Sequence, residues 1–350
     1  MAVTIKDIAR AAGVSHTTVS RALRQHPAIA TDTIDRIQQI ADELGYVPNT
    51  VARGLKTNRS GVLGVIVRRI VDPFFAEVLH GIEDVLHDEG YSLFLAASNR
   101  DPDREKEIVR LMSERRVDGV LICSTQVGEE HRRQLERFSV PSVLINNQAS
   151  EDSAHSVYHD DADGSHQLTG HLIQLGHTRI AYLGNARAGR TTEDRRRGYQ
   201  TALIESGLTP RPEYITDGPN GLAEGGVQGV QHFLALAQPP TAVVCYNDVM
   251  AIGAIQALQR AGRHVPGDCS VTGFDDIELA AYVNPSLTTF SQPKYELGRQ
   301  AATMMLCLLN NGVDARLPAR SDIVRLRGEL VIRASTAPPA LRAETGEWRE

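Results

Sequence analysis

The chain has 350 residues, 41% apolar and 23% charged, which excludes a disordered or fibrous protein and leaves room for two or three domains with buried cores. Its net charge of −6 is unevenly spread: residues 1–60 hold eight Lys/Arg and five Asp/Glu, giving +3, so the remainder carries −9. A basic head on an acidic body fits a nucleic-acid reader joined to a separate module.

The head opens with TIKDIARAAGVSHTTVSR, Thr4 to Arg21. Ile5, Ile8, Ala9 and Ala12 recur at i, i+3, i+4 and i+7, the apolar face of a short helix. Thr4 stands at the N-cap position, and Asp7 three residues on can complete a capping box. Gly13-Val14-Ser15 breaks the pattern: glycine permits the turn, and Ser15 can cap a second helix. In that helix Val19 and Leu23 point inward, leaving His16, Thr17, Ser20 and Arg21 facing out. Small hydrogen-bonding residues with one arginine suit the major groove, where arginine pairs with guanine and threonine touches a thymine methyl. An ordinary helical hairpin with a solvated face would read the same way over these eighteen residues alone.

A third helix follows, with Thr31 as its expected cap, Ile34, Ile37, Ala41 and Leu44 on its apolar face, and Gly45 closing it. Pro48 separates it from TVARGLKTNRS, where Asn49 can cap a segment over 50–57 too short to be a stable helix in water. A flexible linker is one reading. The other is a segment that folds only against DNA, with Arg53 and Lys56 flanking a lone apolar Leu55.

Beyond Gly61 the texture changes. LGVIV, YSLFLAAS, VDGVLICS and PSVLIN read as strands, and the amphipathic runs between them as helices. The alternation restarts with HLIQLGHTRIAYLG, TAVVCYND and CSVTGFDD, so the body reads as two doubly wound α/β lobes with parallel sheets. LTTFSQP at 287–293 reads as a crossing back to the first lobe. Ligands in such sheets sit at the carboxyl ends of strands. Here those ends deliver Asp72 with Phe74 and Phe75, Ser98-Asn99, Ser124-Thr125, Asn146-Asn147, Asn247-Asp248 and Asp275-Asp276. Aromatic faces beside carboxylates and amides suit a polyhydroxylated ligand. Strand-end Asn and Asp also cap helices, and Asn247, Asp248 and Asp276 could each do only that.

These motifs together resemble the lactose-repressor (LacI) family of bacterial transcription regulators. The likeness is carried by TIKDIARAAGVSHTTVSR, ELGYVPNTVARGLKTNRSGVLGVIV, DPFFAEVLHGIEDVLHDEGY, RRVDGVLI, AVVCYNDVMAIGAI, VPGDCSVTGFDDIELA and PSLTTFSQP, and it spans roughly residues 3–335. The resemblance implies a three-helix helix-turn-helix headpiece over 1–48 and a hinge helix and linker over 49–60. It further implies an effector-binding and dimerisation domain over 61–338 that resembles periplasmic sugar-binding proteins, and a tail over 339–350. Lobe 1 is expected at about 61–157 plus 290–318, and lobe 2 at about 158–289 plus 319–338.

By the same resemblance His16, Thr17 and Arg21 touch base edges, with Thr4, Ser15, Thr18 and Asn49 completing the set on the DNA. Leu55 is a minor-groove wedge with Ala52 and Lys56 beside it. For the effector, Arg195 matches the clamping arginine, and Thr191, Asn247, Asp275 and Gln292 match contact positions. Asn146, His159 and Asn220 match more variable ones, and the last two stand where relatives often place aromatics.

HDDADG at 159–164 invites a metal reading, but calcium-loop spacing and a second zinc histidine are missing. Neither GxxxxGK[ST] nor GxGxxG occurs, the four cysteines form no CxxC pair, and no nucleophile stands beside a base. The expectation is therefore a non-enzymatic, cofactor-free regulator, a repressor of carbohydrate-utilisation genes that binds a near-palindromic operator. Its partners would be double-stranded operator DNA, a sugar-type effector and a second copy of itself, with no membrane. The tail after Arg333 has no leucine heptads, which favours a dimer over a tetramer. No apolar signal core and no run of eighteen apolar residues are present, which points to the cytoplasm. A solute-binding protein that never touches DNA is the alternative for residues 61–335 taken alone.

Overall fold

The computed structural model describes residues 3–46, 59–99, 101–123, 140–146, 155–310 and 323–340. Residues 1–60 and 61–350 are two separate compact units.

In the first unit, helices α1 (Ile5–Ala12), α2 (His16–Ala22) and α3 (Thr31–Glu43) enclose Ile8, Ala9, Val19, Ala22, Ile37 and Ala41. The Thr4 amide donates to the Asp7 carboxylate at 3.0 Å, and Gly13 ends α1 in the left-handed conformation at φ 66°. The Ser15 hydroxyl accepts from the Thr18 amide at 3.1 Å and so starts α2. Thr31 lies inside the first turn of α3, not at its cap; Ala30 holds that position and offers no side-chain acceptor.

The second unit contains a six-stranded and a four-stranded sheet, both parallel. In the first, β1 (Val62–Val67) is flanked by β2 (Ser92–Ala97) and β3 (Gly119–Cys123). Next to β3 come β4 (Ser142–Ile145), β5 (His155–His159) and β11 (Ile323–Leu326) in that order. In the second, the order is β7 (Ile215–Gly218), β6 (Ile180–Asn185), β8 (Ala242–Cys245) and β9 (Ser270–Thr272). A two-stranded antiparallel ribbon of β10 (Thr289–Ser291) and β12 (Glu329–Val331) runs between them. The expected assignment of 319–338 to the second lobe fails at β11: Ile323 pairs with Ser156 and Leu326 with His159, so the chain first completes the edge of the first sheet.

Helices cover both sheets, which is why the central strands read as unbroken apolar runs. Helices α4 (Pro73–Asp88) and α10 (Lys294–Asn310) pack on one face of the first sheet, and α5 (Pro102–Glu114) on the other. On the second lobe, α6 (Asp161–Gln174) packs against α7 (Arg190–Glu205), and α8 (Ala223–Leu234) against α9 (Asp248–Arg260). Paired glycines allow close approach. A Cβ on Gly81 would strike the Tyr295 carbonyl and one on Gly298 the Val78 carbonyl; Gly226 and Gly253 meet Met250 and Ala223 likewise. Among the described residues, no helix is long and apolar enough to cross a membrane.

Candidate DNA-reading face and effector cleft

On the headpiece, His16, Thr17 and Arg21 are exposed, one turn of α2 bringing Thr17 and Arg21 to the same side. Ser15 and Thr18 are engaged with one another, their hydroxyls 2.9 Å apart, so they fix the start of the helix rather than stand free. The Thr4 hydroxyl likewise donates to Asp7 at 2.7 Å. Arg24, not singled out from sequence, folds back on Ser20 through its carbonyl and hydroxyl at 2.8 and 3.1 Å, which takes Ser20 out of the free set. Asn49, Ala52, Leu55 and Lys56 lie outside the described residues.

In the second unit a cavity of about 730 Å³ opens where the carboxyl ends of both sheets face each other. Arg68 follows β1, Asn99 follows β2 and Asn146 follows β4; Asn220 follows β7, Tyr246 and Asn247 follow β8, and Asp275 follows β9. Thr191 and Arg195 come from the start of α7, and Gln292 from the end of β10. Three of these strand-end residues, Asn99, Asn146 and Asp275, hold positive φ without being glycine.

Arg195 organises the floor. Its Nε donates to Asp161 at 2.7 Å, one Nη donates to the Tyr246 carbonyl, and the other stands 3.8 Å from the Asp275 carboxylate. The guanidinium lies over the Phe274 ring at 3.7 Å and near the Tyr246 ring at 4.7 Å. Burial alone would push the Asp161 carboxyl up, but Arg195 and then His159 hold it well below the usual carboxylate range. Asp275 behaves oppositely. Burial raises its pKa to about 6 despite the pull of Arg195, with Asp72 adding to the rise and Lys294 opposing it. Gln292 donates to Asp275 at 2.5 Å and accepts from the Asn146 amide at 3.2 Å, so one glutamine joins the two lobes across the floor. The Asn146 carbonyl oxygen and Arg68 Nε, both buried, have no hydrogen-bond partner among the described residues.

The sequence of the headpiece, residues 4–49, matches the model for bacterial regulatory proteins of the lacI family, and residues 169–336 match that of a periplasmic binding protein-like domain. The HTH-type transcriptional repressor PurR of Aliivibrio salmonicida is 37% identical over 306 residues, which cover 87% of this chain and 91% of that one. The chain belongs to the lacI family. Among solved structures, the lac repressor dimer bound to operator and the anti-inducer ONPF matches with a TM-score of 0.85 at 26% identity, covering 96% of this chain and 100% of that one. A transcriptional regulator CelR–cellobiose complex matches at 0.73 and 26% identity, covering 95% and 99%. The protein is thus a transcriptional repressor of the lacI family with a helix-turn-helix DNA-binding head and a two-lobed α/β body. Its relatives are repressors, not enzymes.

Within this lacI-family cleft the structure brings together Phe74, Asn146, Thr191, Arg195, Asn220, Asn247, Asp275 and Gln292. It leaves out two expected residues. Phe75 is fully buried beneath the cleft with the first-lobe core, because successive helical residues diverge by 100° and only Phe74 can face the cavity. His159 is buried between Phe274 and Phe290, at ring-centroid distances of 5.6 and 6.2 Å, and lies 3.4 Å from Asp161. It supports Arg195 from behind rather than lining the space. The Asn247 side chain accepts from the Met250 amide and donates to the Gly221 carbonyl, so capping accounts for much of its polarity. Asp248 and Asp276 are structural: the first accepts from Thr289 and the Ile277 amide, the second pairs with Arg333 at 2.7 Å. Sequence reasoning missed Arg68, Arg69, Arg187 and Tyr246 in the wall. Arg68 and Tyr246 were accessible in principle, each being the first residue past a buried strand. The acidic run after β5 is consumed locally, Asp160 capping α6 and pairing with Arg325, Asp161 holding Arg195, and Asp163 accepting from Gln167.

Proposed function

We propose that this repressor binds a near-palindromic operator as a homodimer and is controlled by a purine base or nucleoside held between its lobes. The relatives' name, PurR, supports a purine over the sugar that the family resemblance alone suggests, and it moves the regulated genes from carbohydrate utilisation toward purine metabolism. The observation that carries the reading is the donor and acceptor pattern of the cleft. Asp275 and the Asn146 carbonyl accept, Arg195, Arg68 and Thr191 donate, and Phe74 offers an aromatic wall. A purine presents both kinds of edge on one flat ring, and satisfying groups already buried costs little further desolvation. The head supplies the output: His16, Thr17 and Arg21 read the major groove, and pairing two heads doubles the contacts and sets the half-site spacing. The hinge role of Leu55 comes from the family resemblance. The protein acts where operator DNA is, in the cytoplasm.

A sugar remains the second reading, favoured by Asn220, which puts an amide in the cavity wall where an aromatic would sandwich a flat ring, and by the cellobiose in the CelR complex. Thermal unfolding of the full chain against hypoxanthine, guanine, adenosine, ribose and cellobiose separates the two. A ligand at a hundred times its dissociation constant adds ~2.7 kcal/mol to stability. A shift with hypoxanthine or guanine and none with ribose or cellobiose is expected, and the reverse would overturn the purine assignment. Operator binding by fluorescence anisotropy, with and without the hit, then gives the sign of control.

A further inference from the structure

A lysine opening a helix is electrostatically misplaced, because the first turn carries the positive end of the macrodipole. Lys294 opens α10 and is only 3% exposed, so it has given up both a favourable helix position and its hydration. Its ammonium has three donors and three acceptors: the Asp275 carbonyl at 2.6 Å, the Asp276 carbonyl at 2.6 Å and the Glu77 carboxylate at 3.2 Å. Two of these belong to the second lobe and the third to α4 of the first.

The two carbonyls mark an unusual backbone. Asp275 and Asp276 hold φ of 114° and 54°, a conformation non-glycine residues rarely adopt, in succession. The same crossover segment grips them elsewhere: the Asp275 amide donates to the Phe290 carbonyl at 2.9 Å, and Gln292 holds the Asp275 carboxylate. We infer that Lys294 is the positioning residue of the effector cleft, fixing the left-handed Asp275-Asp276 turn that aims the Asp275 carboxylate into the cavity and tying that turn to the first lobe through Glu77. This rests on the reading of the cleft as the effector site.

The charged groups facing Asp275 are Arg68 after β1, Arg195 from α7, Asp72 before α4, Asp248 from α9, and Lys294 itself. Lys294 is the cation among them that also bonds the backbone of the turn, so its removal should leave the carboxylate harder to ionise. The Asp275 carboxyl can be followed by carbon-13 NMR in ligand-free, full-length protein labelled at aspartate Cγ, its resonance assigned by loss in Asp275→Asn. A nearby cation moves a carboxylate by about one to three pH units, so the midpoint in Lys294→Met and Lys294→Gln should rise by about one unit or more, with Lys294→Arg restoring it. The Gln variant keeps two donors and guards against a Met variant that fails to fold. Midpoints that stay at the wild-type value in folded variants would overturn the inference, since a merely structural lysine would change stability alone. Hypoxanthine titrated calorimetrically into the same proteins should bind the Gln variant ~10-fold more weakly, the loss of one charge-assisted contact. If hypoxanthine fails to bind wild type, the purine reading falls while the carboxyl titration still decides the role of Lys294.

Discussion

Replacing Asp275 by Asn should stabilise the second unit at neutral pH while weakening its ligand binding. The Asp275 side chain is 10% exposed, and burial lifts its pKa from 3.8 to about 6. A shift of ~2 units at ~1.4 kcal/mol each is worth ~3 kcal/mol. The sign follows from proton counting. Between pH 3.8 and 6 the folded state holds the proton that the unfolded chain has lost, so stability falls as pH rises through that window and the loss is complete above 6. Asn is isosteric with the protonated form, still accepts from Gln292, and tolerates positive φ. The variant and wild type should therefore be equally stable near pH 4 and diverge to ~3 kcal/mol in favour of the variant at pH 7. Urea unfolding followed by far-ultraviolet circular dichroism, at fixed protein concentration and half-unit pH steps, measures that difference. Parallel curves for the two proteins would refute the reasoning, because Asp275 would then titrate as an exposed carboxylate. A variant that grows less stable with rising pH would mean that Arg195, 3.8 Å away, outweighs burial.

Arg195→Ala strips a buried carboxylate, Asp161, of its partner and should cost ~3–5 kcal/mol by urea unfolding, so its loss of effector binding would not by itself locate the effector; a cost below ~1 kcal/mol would mean water takes the arginine's place. Gly298→Ala drives a methyl into the Val78 carbonyl and should cost ~1–3 kcal/mol by forcing α10 off α4, whereas unchanged thermal stability would show that the helices can part freely. Arg21→Ala should cost ~1–3 kcal/mol at one base pair in each half-site, seen as relaxed preference in operator variants; equal loss on every sequence would mean that the side chain only grips phosphate.

What could be read from sequence was whatever local chemistry decides. The start of α2 depends on Ser15 and a left-handed glycine two residues before it, and both act within one turn. Strand β1 announces itself because a strand covered on both faces has no polar positions to interrupt it. The errors share a different origin. Phe74 and Phe75 are adjacent and chemically alike, and only the docking of α4 on the first sheet decides which of them sees the cavity. His159 stands at a strand end like the true lining residues, yet Phe274 and Phe290, more than a hundred residues away, close over it. The place of Ile323–Leu326 in the first sheet is likewise set by pairing with a strand about 165 residues earlier, which no local pattern encodes. The helix glycines are similar: a glycine inside a helix reads as a weakness until a carbonyl of the neighbouring helix is found against it.

The exceptions to ordinary sequence–structure rules are themselves informative about where function lies. Positive φ in non-glycine residues occurs among the described residues at Gln25 and Arg116, which follow helix ends where a left-handed turn is usual, and at Asn99, Asn146, Asp275 and Asp276. The last four follow strands and gather at one cavity or directly beside it. The same place holds a buried carboxyl with a raised pKa, an amide oxygen and an arginine Nε without partners among the described residues, and a buried lysine at the wrong end of a helix. Each costs folding free energy, and each lobe has its own apolar core cluster to hold it together without them. Four such departures gathered around one space support the ligand cleft proposed above. Because the groups involved come from both lobes, a ligand that satisfies them must favour one spacing of the lobes over another. On the function proposed above, occupancy of the cleft biases that spacing, with a coupling to DNA binding of typically ~1–3 kcal/mol.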